Sequence, residues 1–110
     1  MNIAVTTHPD FAVVSPTGRL TATVAPRLRQ AIDDLIAKGF TRIVIDLAAT
    51  EFIDSSGLGA VIGGLKATRV AGGDLRIATV SESVRRVLKL TNLDRVLRAH
   101  PTPETAFDGD

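Results

Sequence analysis

A carboxylate followed by two hydroxyls, Asp54-Ser55-Ser56, is the cluster in this chain with the residue types for chemistry. Gly57-Leu58-Gly59 follows it directly. Before it lies a short apolar run, Ile43-Val44-Ile45-Asp46-Leu47, which reads as a buried strand. After it comes an apolar-periodic segment from Leu58 to Val70, which reads as a helix. The hydroxyls therefore sit where a strand hands over to a helix N-terminus. Backbone N–H groups without partners and the positive end of the helix dipole converge at such a place, so added negative charge is tolerated. A serine there can cap the helix, act as a nucleophile, or accept a phosphoryl group.

Each role makes demands on the rest of the chain. A cap needs only the hydroxyl, and Ser56 could bond the amide of Leu58 or Gly59. A nucleophile needs a nearby base. The two histidines, His8 in a turn and His100 in a late loop, read as solvated surface residues far from the cluster. A phosphate acceptor needs access, and Gly57 and Gly59 remove side-chain bulk around the hydroxyls. A phosphate would bring roughly −1.5 to −2 charges beside Asp54. The helix amides could hold that charge, while a partner surface fitted to a neutral serine would meet a dianion. The glycines do not spell a nucleotide loop: no G-x-G-x-x-G and no Gly-Lys-Ser/Thr is present. Gly59, Gly63 and Gly64 read instead as positions of close packing, since a glycine within a helix costs up to about 1 kcal/mol relative to alanine. No metal-ligand spacing is visible. Arg85, Arg86 and Lys89 read as a solvated helix face.

The elements that must position the cluster follow from periodicity and punctuation. Ile3 to Thr7 and Phe11 to Ser15 read as an antiparallel hairpin around His8-Pro9-Asp10, ending near Pro16. Thr17 to Thr21 reads as a loop. Val24, Leu28, Ala31, Ile32, Leu35 and Ile36 recur at helical spacing, with Thr23 as N-cap, Pro26 in the first turn and Gly39 at the end. Arg42 to Leu47 is the third strand, and a helix runs from about Ser56 to Ala71 before Gly72-Gly73. Leu75 to Ala78 is the fourth strand. Ser81 caps a third helix that ends at Thr91 or Asn92. Val96-Leu97 reads as a short last strand, and Thr102-Pro103-Glu104 starts a short helix. Alternating strands and helices imply parallel neighbours with right-handed crossovers. The expected fold is α/β, a mixed sheet of about four to five strands with helices mainly on one face and the other face partly open.

Size and composition fit one soluble domain over residues 1–110. The content is 45% hydrophobic and 23% charged, too apolar for a disordered chain. The absence of cysteine excludes disulfides and thiolate metal sites and suits a cytoplasmic location. A net charge of +1 with interspersed signs, and no Trp or Tyr, argues against a nucleic-acid partner. No apolar run is long enough to span a membrane and no secretory signal is visible.

The run Asp54-Ser55-Ser56-Gly57-Leu58-Gly59 resembles the switch motif of the STAS-domain family, and within it the bacterial anti-sigma factor antagonists. Thr17-Gly18-Arg19-Leu20 is similar to the family's loop after the second strand, and Ile43 to Leu47 to its strand before the switch. Ala71-Gly72-Gly73-Asp74-Leu75 is similar to its helix-to-strand turn, and Val84 to Leu97 to its later part. The resemblance implies a regulatory module that is not an enzyme and holds no cofactor. It implies phosphorylation at Ser55 by an anti-sigma factor with serine kinase activity, for which ATP is substrate, and resetting by a phosphatase. The unmodified form would bind that anti-sigma factor and release the sigma factor. Asp54, Ser56, Gly57, Leu58 and the loop Arg19, Leu20 and Thr21 would contact the partner. Thr21 departs from the pattern, since many antagonists carry aspartate there. An alternative within the same fold is a constitutive interaction subunit, for example of a transporter complex, in which Ser55 is never modified.

Overall fold

Three central strands, buried along most of their length, decide the architecture. The computed structural model describes residues 3–108. Strands β1 (Ile3–Thr7), β2 (Ala12–Pro16), β4 (Arg42–Asp46), β6 (Asp74–Ala78) and β7 (Ala99–His100) form a five-stranded sheet in the order β1-β2-β4-β6-β7. The first pair is antiparallel and the others are parallel. Helices α1 (Ala25–Ala37), α2 (Ser55–Val70) and α3 (Glu82–Leu90) make the crossovers. Two further strands, β3 (Gly18–Leu20) and β5 (Thr50–Ile53), pair in parallel as a small second sheet.

One face of the main sheet carries Ala12, Val14, Ile43, Ile45, Leu75 and Ile77, all buried. Against it pack Leu28, Ile32 and Leu35 of α1, Leu58, Val61 and Leu65 of α2, and Val84 and Leu88 of α3. Gly64 lets α2 approach closely, because a Cβ there would come 2.6 Å from Ile32 Cδ1 and 3.1 Å from Leu75 Cδ1. The helices thus lie on one face, as their stripes require. The reverse face, expected to be partly open, is covered at Val13, Val44 and Ala78. A 3-10 turn at Pro103–Thr105 lays Ala106 and Phe107 over Val13, Val44 and Ala78. Arg76 fastens it, donating to the Ala106 carbonyl at 2.8 Å and lying 4.4 Å over the Phe107 ring.

Several local expectations need correction. Thr17 to Thr21 is not wholly a loop, since Gly18–Leu20 is β3, and β5 follows Ala48-Ala49 without a helical or strand period to announce it. Thr23 does not cap α1. Val24 holds the cap position, and the Thr21 carbonyl takes the N–H groups of Val24 and Ala25 at 2.9 and 2.8 Å. The last strand is Ala99–His100, because residues 93–95 form a 3-10 turn in place of a strand around Val96. His100 is half-buried within that strand, and His8 stacks on Phe11 with centroids 4.5 Å apart, so neither is simply solvated. Ser81 does cap α3, through the Val84 N–H at 3.3 Å, and Asn92 leaves it in a left-handed conformation.

The two sheets are tied by Thr50, whose buried Oγ1 donates to the Pro16 carbonyl at 2.8 Å. Thr50→Val keeps the volume and removes that bond. Urea denaturation should show a loss of about 1 kcal/mol, and an unchanged midpoint would mean the tie carries no stability.

Candidate functional site

The small sheet assembles this corner. β3 precedes α1 and β5 precedes α2, so their pairing sets the entrances of both helices side by side. Arg19 lies opposite Phe52 and Leu20 opposite Ile53. The Asp54 N–H continues the ladder with a 3.2 Å bond to the Leu20 carbonyl. Gly57 then presses against the same residue: a Cβ there would sit on the Leu20 carbonyl oxygen and 2.9 Å from Ile53 Cγ1. Only a glycine lets the first turn of α2 rest on β3.

Helix α2 starts at Ser55, one residue earlier than its apolar pattern predicts. Its cap is Asp54, not a serine. Asp54 is extended, and its Oδ1 accepts the Gly57 N–H at 2.9 Å, while its carbonyl accepts the Leu58 N–H at 2.9 Å. Ser55 and Ser56 occupy the first two helical positions and are exposed. Neither hydroxyl is taken up by a hydrogen bond among the described residues. Their own backbone N–H groups lie in the first turn, where helix geometry supplies no acceptor. Two free hydroxyls thus stand over unsatisfied amides at the positive end of a 16-residue helix.

The other sequence-derived site residues divide by depth. Arg19 is exposed and holds its guanidinium 4.6 Å over the Phe52 ring, and Phe52 is itself 41% exposed. Thr21 and Asp54 are half-buried at the same corner. Leu20, Gly57 and Leu58 are buried. Those three shape the corner from beneath. Ile53 is buried and anchors the corner, while its neighbour Phe52 faces outward. Gly59 differs from Gly64: it is exposed and a Cβ there would meet nothing within 4 Å. A Cβ at Gly63 would meet only the side chain of Arg29, which pairs with Asp33 at 3.1 Å. Arg85, Arg86 and Lys89 are exposed on the outer side of α3. Neither histidine lies on the elements that build the corner. Among the described residues no group of His, Cys, Asp and Glu has the arrangement of a metal site, and no helix is long and apolar enough to cross a membrane.

A mixed sheet with helices on one face thus carries, at the entrance of α2, two exposed serines behind an aspartate cap. The chain belongs to the STAS-domain family, in its anti-sigma factor antagonist branch: the family's STAS domain model matches residues 2–106. An anti-sigma-B factor antagonist of Staphylococcus epidermidis is 31% identical over 104 residues, covering 94% of this chain and 96% of that one. The crystal structure of an anti-sigma factor antagonist from Mycobacterium paratuberculosis superposes with a TM-score of 0.83 at 31% identity, over 96% of this chain and 89% of that one. A candidate antagonist from Thermotoga maritima superposes with a TM-score of 0.88 at 30% identity, over 96% of this chain and 92% of that one.

Gly57→Ala tests the packing that holds the corner together. The added methyl meets backbone on β3, so it should destabilise the fold by about 1–3 kcal/mol. Denaturation at unchanged stability would show that α2 can lift off Leu20 without cost.

Proposed function

We propose that this chain is a phosphorylation-switched antagonist of an anti-sigma factor, with Ser55 as the switch. The unmodified form docks the anti-sigma factor through the corner formed by Arg19, Thr21, Phe52, Asp54, Ser55 and Ser56, and the sigma factor is released. The docked protein is also a serine kinase. Ser55 Oγ attacks the γ-phosphorus of ATP bound to that kinase, ADP leaves, and the hydroxyl proton passes to a base on the kinase. A separate phosphatase hydrolyses the ester and restores the hydroxyl. In this scheme the chain is ligand and substrate, not catalyst.

The observation that carries the reading is the division of labour at the start of α2. Asp54 caps the helix, so Ser55 is exposed with no structural task. Esterification at Ser55 therefore removes no bond that holds the fold. The first-turn amides and the helix dipole favour the added charge, roughly −1.5 to −2 at neutral pH. A docked surface experiences the reverse. It was fitted to a small neutral hydroxyl and now meets a dianion next to the Asp54 carboxylate, so the effect falls on binding rather than on folding. The relatives from Staphylococcus epidermidis and Mycobacterium paratuberculosis are antagonists of anti-sigma factors, which supports the same class of partner.

Incubation with the cognate anti-sigma kinase and ATP should add one phosphoryl group, located at Ser55 by peptide mass spectrometry. Ser55→Ala should bind the kinase and lose the response to ATP, while Ser55→Asp should melt like the parent and bind poorly. Equal binding by Ser55→Asp and the unmodified chain would refute the switch. Phe52→Ala probes the docking corner without touching the acceptor. Isothermal titration should show affinity for the anti-sigma factor falling by roughly 10- to 100-fold, as for an exposed aromatic at the centre of an interface, with little change in melting.

A further inference from the structure

The two edges of the main sheet are built differently. At one side β7 is only Ala99–His100, preceded by Arg98 and cut off by Pro101, which has no N–H to offer. At the other side stands β1, Ile3–Thr7, which pairs with β2 along its full length and, among the described residues, with nothing beyond it. Its sequence is Ile-Ala-Val-Thr-Thr: three β-branched types, no charge, no proline and no bulge. None of the usual devices that blunt an edge strand is present.

The phase of the hairpin fixes which groups face out. The His8 N–H donates to the Phe11 carbonyl at 2.8 Å, so that rung is a hydrogen-bonded one. Rungs alternate along an antiparallel pair. Thr6 with Val13 and Ala4 with Ser15 are therefore the bonded pairs, and Ile3, Val5 and Thr7 turn their N–H and C=O groups to the open side. Pro16, opposite Ile3, falls on a non-bonded rung where its missing N–H breaks nothing. Val5 lies on the same face as Val14, the face the helices cover, yet it is 47% exposed. Ile3 packs against the core that α1 covers, and Val5 is left half exposed beyond it.

We propose that this edge pairs with the β1 edge of a second copy of this chain, antiparallel about a two-fold axis at Val5. This register is self-complementary. Val5 of each copy exchanges both backbone bonds with Val5 of the other, and Ile3 does so with Thr7, which uses every outward group of the strand. The two Val5 side chains meet beside the axis and lose their exposure to water. An uncharged strand meets its own copy without repulsion, the condition a two-fold contact imposes on any charged residue at its centre. The product is one continuous sheet made of both copies. The Ser55 corner lies on other elements, so the contact is independent of the switch.

Sedimentation equilibrium over a wide concentration range tests this. The parent chain should show a reversible monomer–dimer equilibrium. Val5→Pro removes an outward N–H and leaves the bonded rungs of the β1–β2 ladder intact. Val5→Lys places like charges across the axis. Each should weaken association at least about tenfold, with circular dichroism reporting the same fold. Because the chain has no cysteine, register can be read by oxidation. Val5→Cys should cross-link rapidly, its Cα atoms about 5.5 Å apart on a bonded rung. Ala4→Cys, which faces Thr6 of the other copy, should not. A strictly monomeric chain, a dimer indifferent to both Val5 variants, or equal cross-linking at the two positions would overturn the proposal.

Discussion

The contact between Leu20 and the start of α2 is the constraint on which the site depends. The main sheet alone would place α1 and α2 on its face without specifying how their entrances meet. Two short strands, each inserted just before a helix, pair with one another and remove that freedom. The Leu20 carbonyl accepts from Asp54, and the bare α-carbon of Gly57 lies against it. Arg19 and Thr21 are carried to the serines by that packing, although more than thirty residues separate them in sequence. A short parallel pair is weak alone. Here it is held at one end by the Thr50 bond to Pro16 and at the other by the buried side chains of Leu20 and Ile53.

Separating cap from switch has a further effect. Had a serine capped α2, modifying it would have removed an N-cap bond, typically worth about 1 kcal/mol, and helix stability would have been coupled to the signal. With Asp54 as cap, the helix keeps its first turn in either state. The same carboxylate adds to the local negative charge without leaving its structural post. The corner can therefore change its electrostatic character while its shape stays fixed, which suits a surface read by another protein.

Much of this was legible in the residues. The long apolar stripes of α1 and α2, the glycine stops at Gly39 and Gly72, the Ser81 cap and the buried runs of β4 and β6 follow from periodicity and local chemistry. The position of the serine pair between strand and helix was also visible. The small sheet was not. Gly18–Leu20 and Thr50–Ile53 are too short to show a period, and their pairing is decided by tertiary contact. For that reason neither the outward face of Phe52 nor the burial of Leu20, Gly57 and Leu58 beneath the corner shows in the residues alone. The serine cap failed for a simpler reason: aspartate and serine cap about equally well, and an adjacent pair leaves the choice to backbone geometry. The covering of the reverse face escaped too, because Ala106 and Phe107 carry no pattern of their own and depend on Arg76 to hold them down.

That clasp also sets where attachments leave the molecule. Since Arg76 fastens Ala106 and Phe107 to the reverse layer, the chain lies behind the sheet as far as it is described, at Asp108. The serines open from the helical layer. A tether, reporter or immobilising tag appended at that end would trail away from the corner, leaving it unobstructed for encounters in solution or on a sensor chip.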